Sequence, residues 1–166
     1  DYARDMFLFS FYTRGMSFID MAYLKKSDLK NGIITYRRRK TGQQLTVKWE
    51  KCMEDIIAKY GENTATRYLL PIITNPCSDE RTQYRNAICR INVALKEVAG
   101  LAGLNIPLTM HVARHCWASV AKSKNIPLSV ISEGMGHDSE ETTRIYLASL
   151  DTSVVDKANS LILKDF

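Results

Sequence analysis

Cysteine is scarce in this sequence of 166 residues: the four, at 52, 77, 89 and 116, form no Cys-x-x-Cys pair and keep no regular spacing with histidine. A zinc site is therefore not expected, and the thiols read as ordinary buried or half-buried side chains of a reducing compartment. No apolar run approaches the roughly 18 to 20 residues that a membrane span needs, and no signal peptide opens the chain. These lacks point to a cytoplasmic protein without a membrane partner. A Gly-x-x-x-x-Gly-Lys loop is also missing, which argues against phosphoryl-transfer ATPase chemistry. There is no internal repeat, no low-complexity tract and no obvious boundary of a second domain.

What is present is enough for one substantial core: 45% of the residues are hydrophobic, and residues 1–166 are expected to form a single domain. Charged residues make up 25% and leave a net charge of +5, with a pI near 9.0. Such a balance leans towards a polyanionic partner, although so mild an excess also occurs in proteins that never meet nucleic acid.

The patterning predicts an α+β, mainly helical chain with a small antiparallel β-hairpin. Ala3, Met6, Phe7 and Phe11 recur at helical spacing over 3–12. Thr13-Arg14-Gly15-Met16 reads as a turn, and Ser17-Phe18-Ile19-Asp20 has the form of a helix start, with Ile19, Ala22 and Tyr23 facing inward. Arg14 thus stands just before a helix N-terminus, a place that favours an anion. After an Asn31-Gly32 turn, 33–39 and 43–49 alternate as two strands joined through Lys40-Thr41-Gly42, with Lys40 at the tip. Period-two alternation puts Arg38 and Lys40 on one face and Arg37 and Arg39 on the other. The basic run at 36–40 reads either as a solvated strand edge or as a contact for phosphates.

A short amphipathic helix follows over 50–60, closed by Gly61, and then an apolar extended piece over 68–73. The longest helical pattern runs over 81–101 with Ile88, Ile91, Leu95, Val98 and Leu101 on one stripe, and reads as scaffold. The next helix, 110–123, carries Val112, Cys116 and Val120 as its apolar stripe. Its His111 and Arg114, three apart, share a face and can reach one anion, while His115 reads either as packing or as a support behind those two. A short helix from Pro127 to Glu133, a turn over Gly134 to His137 and a helix opened by Ser139 complete the chain's chemistry; Glu140 and Arg144 are expected to pair on that last helix.

Three elements now stand in order: His111-Val112-Ala113-Arg114, Gly136-His137, and Tyr146 nine residues past that histidine. They resemble the catalytic domain of tyrosine recombinases, the phage and transposon integrases, in which His-x-x-Arg opens a helix and Gly-His precedes a tyrosine at this spacing. The resemblance spans nearly the whole chain, from about Ala3 to Leu163. It implies that the chain is the catalytic, C-terminal part of a longer protein whose helical DNA-clamp domain is not included. It also implies site-specific recombination or integration of double-stranded DNA without metal, ATP or cofactor. Tyr146 would attack the scissile phosphorus to give a 3′-phosphotyrosyl link, and Arg114 would clamp the nonbridging oxygens. His111 would help move the tyrosine proton, His137 would hydrogen-bond a phosphate oxygen, and Lys40 would protonate the leaving 5′ oxygen. Arg37, Arg39 and Lys40 would lie against DNA, and the protein would work at the nucleoid.

One element departs from the family's pattern. A first arginine usually stands in Thr-Gly-x-Arg-x-Ser-Glu-Leu, and when Asp20-Met21 is laid on Glu-Leu, Ser17 falls in its place. Arg14, three residues earlier, and Arg38, which faces the same way as Lys40, are the two candidates for the missing cation. The bracket Arg14 to Met21 resembles the integrases of Bacteroidetes mobile elements, in which this position is shifted. The apolar stripe Val154, Val155, Ala158, Leu161 and Ile162 must bury against something. By resemblance, this helix over 153–163 packs on a neighbouring subunit, so that a monomer becomes a tetramer on DNA, or else it docks on its own domain. Two rivals remain: a non-catalytic DNA-binding remnant of the same fold, which Ser17 favours, and a type IB topoisomerase-like enzyme that relaxes supercoils.

Overall fold

The computed structural model describes residues 1–61, 65–105 and 107–148. The chain forms two compact units, 1–117 and 118–166. The described residues bear out a mainly helical α+β architecture with a small antiparallel sheet. No helix among them is long and apolar enough to cross a membrane.

The first unit opens with α1 (Tyr2–Tyr12) and α2 (Phe18–Ala22), which Ser17 caps by accepting from Asp20 N at 3.4 Å. Of the inward residues expected, Ala3, Met6 and Ala22 are buried, whereas Phe7, Phe11, Ile19 and Tyr23 are only half-buried. Ala3, Met6 and Phe9 are buried on α1, with the polar Asp5 and Ser10 beside them, and Phe18, Met21 and Ala22 on α2. A single turn of 3-10 helix (Lys26–Asp28) leads into the sheet, which has three strands where two were expected: β1 (Leu29–Lys30), β2 (Ile33–Arg37) and β3 (Gln44–Lys48), in that order. Asn31 and Gly32 join β1 to β2 with φ of 51° and 72°, the doubly left-handed turn whose twist suits a hairpin. β2 pairs with β3 from Ile33–Lys48 to Arg37–Gln44, so both strands end sooner than the alternation suggests.

Helix α3 (Lys51–Tyr60) stops at Gly61, whose φ of 66° a side chain would resist. The longest helix, α4 (Glu80–Leu101), starts at Asp79, whose carboxylate accepts from Thr82 N at 2.7 Å. Its buried stripe is Ala87, Ile91, Leu95 and Ala99, while Leu101, expected inside, is 91% exposed. α1 packs on both α3 and α4. Methionine dominates this core: Met6, Met16, Met21 and Met53 are all at most 2% exposed, among Phe9, Ile34, Tyr68 and Leu70. Each large apolar side chain so enclosed contributes about 1.5–3 kcal/mol, and the unbranched thioether fills gaps that branched side chains leave.

Helix α5 (Met110–Ser123) begins in this unit, where Asn92 of α4 caps it by accepting from Met110 N at 3.0 Å. Its buried positions are Met110, Ala113, Arg114, Ala118 and Ala121; Val120, expected inside, is exposed.

The second unit holds the end of α5, then α6 (Leu128–Met135) and α7 (Glu140–Ala148), which pack together. α6 runs two residues beyond Glu133, so the turn starts at Gly136 rather than at Gly134. Gly136 is left-handed at φ 63° and ψ 48°, and His137 N donates back to Ser132 O at 3.0 Å. Ser139 opens α7 by accepting from Thr142 N at 3.2 Å. Arg144 pairs with Glu141 at 3.5 Å, rather than with Glu140. The helix expected over 153–163 lies outside the described residues.

Candidate active site

In the first unit the site is built on the turn between α1 and α2. Thr13 closes α1 by donating its hydroxyl to the carbonyls of Phe9 and Ser10 at 2.7 and 3.1 Å. Gly15 N then donates to Ser10 O at 2.8 Å, and Ser10 Oγ donates to Met16 O at 2.7 Å. These bonds hold Arg14 and Gly15 in the left-handed region, at φ 62° and 73°. The turn brings Gly15 O within 3.0 Å of Arg114 Nη1, which donates to it. A Cβ on Gly15 would lie 2.8 Å from Arg114 Cα and 2.8 Å from its Cγ, so only glycine admits the helix this close. Arg114 is 8% exposed, and the carbonyl of Gly15 helps to aim its guanidinium.

The hairpin adds further charge. Along β2, Ile34, Tyr36 and Arg38 point inward while Ile33, Thr35 and Arg37 point outward. Arg38 N donates to Gln43 O at 2.9 Å and Gly42 N to Arg38 O at 2.8 Å, which closes the loop that carries Lys40 exposed at its tip. Lys40 lies beyond the paired strands, so the alternation that aligned it with Arg38 does not extend to it. Arg37 Nη1 donates to Gly42 O at 3.1 Å, and the Arg39 guanidinium stacks 3.9 Å over the Tyr23 ring.

Electrostatics show which of these side chains gather. Burial pushes the Tyr36 hydroxyl well above the usual phenol range and nearby Asp20 pushes it further, while Arg38, Arg114 and Arg14 pull against them. Three arginines from separate elements therefore lie close enough to act on one phenol. His111, exposed on the first turn of α5, is held below its usual pKa of 6.5 by partial desolvation and then by the charges of Arg114 and Lys40. Its ring meets His115 edge-on at 4.5 Å. His115 is likewise lowered, by desolvation first and then by His111 and Arg114. Arg114 thus acts on both Tyr36 and His111, joined by Arg14 and Arg38 at the phenol and by Lys40 at the imidazole.

Asp20, read from the sequence as part of a helix start, has a second role here. It is buried, accepting from Ser17 Oγ at 2.6 Å through one oxygen and from Arg39 N at 2.8 Å through the other. The carboxylate ties the start of α2 to the loop of Lys40. Ser17 is committed to that bond and to capping the start of α2.

In the second unit, His137 and Tyr146 meet edge to face, with ring centroids 5.6 Å apart and planes at 69°. Thr143, which sequence reasoning missed, lies between them in sequence with its Oγ1 2.7 Å from His137 Nδ1. Among the described residues no three histidine, cysteine or carboxylate side chains assemble into a metal site.

The chain is similar to the XerA recombinase, at 20% identity over 96% of this chain and 60% of that one, with a TM-score of 0.66. It is similar to the XerH site-specific recombinase bound to palindromic difH substrate in a post-cleavage complex, at 21% identity over 95% and 45% of the two chains, with a TM-score of 0.67. A lambda integrase dimer bound to a COC′ core site is similar at 19% identity over 88% and 52%, with a TM-score of 0.61. Such identities speak for the fold, and the chain spans 60% or less of each of these proteins. Among curated proteins none matches. The match that reaches the sequence itself is to the model of the phage integrase family, over residues 2–153, which takes in both units and every candidate side chain; the chain belongs to that family.

Proposed function

We propose that this chain is the catalytic part of a tyrosine recombinase that cuts and rejoins double-stranded DNA at specific sites. The observation that carries the reading is the buried Arg114 guanidinium, held at 3.0 Å by the carbonyl of Gly15 next to Arg14 and on the same helix as His111, with Arg38 enclosed just past β2. Attack on a phosphodiester builds negative charge in the transition state, and fixed cations in a partly dry site stabilise it without reorganising.

Tyr146 Oη attacks the scissile phosphorus, and the bond to the 5′ oxygen breaks as the 3′-phosphotyrosyl ester forms. The phenolic proton passes to His111, whose lowered pKa keeps it neutral and able to accept near pH 7. Lys40 gives a proton to the leaving 5′ oxygen. Arg114 offers its planar fork to the nonbridging oxygens, and His137 adds a hydrogen bond. Either Arg14 or Arg38 supplies the further cation that Ser17 does not. The ester stores the energy of the broken bond, so attack by a 5′ hydroxyl reverses the steps and reseals a strand without ATP. Arg37, Arg39 and Lys40 serve the DNA backbone, with Arg39 stacked on Tyr23 as it does so. The bracket Arg14 to Met21 supports an origin among the integrases of Bacteroidetes mobile elements, acting at the nucleoid. In the same reading the protein is a monomer alone and a tetramer on DNA, joined through residues 153–163.

A nicked suicide substrate incubated in EDTA with the native chain and with Tyr146→Phe tests the reading on a denaturing gel. The expected result is a slow-migrating covalent adduct that needs Tyr146. No adduct, even from the full-length protein, would overturn it in favour of a DNA-binding remnant, the reading that Ser17 supports.

A further inference from the structure

Thr143 is wholly buried one turn before Tyr146 on α7, and its Oγ1 stands 2.7 Å from His137 Nδ1. Its neighbour Thr142 is exposed and shares its hydroxyl with Ser139 at 3.1 Å, in the cap of the helix. The two adjacent threonines therefore do different work. Among the described residues, His137 is the hydrogen-bond partner of the Thr143 hydroxyl and there is no second.

That pairing fixes a direction. A hydroxyl has one hydrogen to give, while each nitrogen of a neutral imidazole either donates or accepts. Were Nδ1 to carry the hydrogen, Thr143 would accept it and its own O–H would be buried with no acceptor, an omission that proteins rarely tolerate. With Nδ1 bare, the Thr143 hydroxyl donates to it and both groups are satisfied. The hydrogen of the neutral ring then sits on Nε2, the nitrogen turned away from Thr143.

We propose that Thr143 is a positioning residue that fixes His137 as the Nε2–H tautomer. The rest of the local structure suits such a role. His137 N is anchored to Ser132 O at 3.0 Å through left-handed Gly136, and the ring lies edge to face with Tyr146 at 5.6 Å. With backbone, ring contact and Nδ1 all held, the imidazole keeps one orientation and one proton position. The use of that proton rests on the recombinase reading above. A nonbridging phosphate oxygen has lone pairs and no hydrogen, so a histidine that serves it must arrive as a donor. Thr143 itself touches no substrate in this scheme and acts through His137.

Long-range nitrogen–proton correlation NMR on the native chain without DNA tests the proposal directly. The sequence has only three histidines, and His137→Asn identifies the signals of the third. In the native chain His137 is expected as Nε2–H with a bare Nδ1. Thr143→Val, which keeps the shape and removes the hydroxyl, is expected to move the tautomer ratio towards Nδ1–H by about tenfold; Thr143→Ser restores it. A native His137 with its hydrogen on Nδ1 overturns the proposal, and that result needs no variant to fold. An unchanged ratio in folded Thr143→Val overturns it equally. In the suicide-substrate assay, Thr143→Val is expected to slow adduct formation about tenfold with little change in DNA affinity, and Thr143→Ser to recover it. Failure of the native chain to form any adduct would count against the recombinase reading and leave the NMR result standing, so the two fail separately.

Discussion

Arg114 Nη1 donates to Gly15 O at 3.0 Å, across ninety-nine residues of sequence, and the absence of a Cβ on Gly15 is what lets the two meet. A Cβ there would stand 2.8 Å from the Arg114 Cα, and the φ of 73° disfavours any side chain. Gly15→Ala is therefore expected to destabilise the chain by about 2 kcal/mol or more, from strain and overpacking together. Urea unfolding monitored by circular dichroism measures this, and the arginine's displacement should appear as a comparable loss of adduct formation.

Asp20 links Ser17 to the loop of Lys40, so its removal should loosen that loop before it disturbs the core. In Asp20→Ala the Arg39 amide loses its charged acceptor, and a hydrogen bond to a charged group is worth about 1.5–3 kcal/mol. Faster hydrogen exchange at Arg39 and its loop neighbours, with the amides of α4 unchanged at low denaturant, is the expected pattern.

His111 ties stability to pH. Because its folded pKa lies below the unfolded value of 6.5, the unfolded chain binds more protons in between. The contribution of neutral His111 is thus present above about pH 6.5 and lost as pH falls through the folded pKa. His115 follows the same direction. In His111→Gln the loss on acidification should be smaller, so the stability difference between native and variant chains narrows as the pH drops. Unfolding curves at several pH values, beside an NMR titration of the two rings, check both the sign and the window.

Arg14 and Arg38 are separable by charge. Both act on Tyr36, but Arg38 is 9% exposed at the end of the β2 row, whereas Arg14 is half-buried in a left-handed turn. Whichever is the working cation should lose about 10²-fold or more in adduct formation as alanine, in the range found for removing one transition-state donor. The other should change DNA affinity and its salt dependence with little effect on the rate. Equal, small losses in both would remove the idea that either replaces the family's arginine.

How much of this was readable beforehand varied with the range of the interaction. Local signals served well: Asn31-Gly32 for the turn, Gly61 for the end of α3, Ser139 for the start of α7. The inward faces of α4 and α5 were misjudged because Leu101 and Val120 outrank alanine on any hydrophobicity scale. Close helix packing selects small residues instead, and Ala87, Ala99, Ala113 and Ala121 fill the contacts. In the site, the histidines, Arg114 and Tyr146 were visible as a spaced pattern. Asn92 and Thr143 were not, nor was the tie from Asp20 to Arg39, since a polar residue carries no signal for a distant partner, at Arg39, Met110 or His137, until the two are brought together. Nor could the sequence reveal that Asp5 is buried. Burial alone would raise its pKa, but hydrogen bonds from Tyr60, Lys59 and Arg4 outweigh that and hold it below the usual carboxylate range.

The inward row of β2 passes from Ile34, fully enclosed, through Tyr36 to Arg38. One side of a single strand is thus greasy at one end and charged at the other, with a phenol as the partition. The arginines that act on that phenol do so at a distance that its packing sets. Trimming Ile34 to alanine would leave a cavity behind Tyr36, cost about 2–5 kcal/mol and let the phenol shift towards it without altering a single charged residue. Packing and electrostatics in this protein are therefore not independent traits, and a change that softens the first is felt as a change in the second.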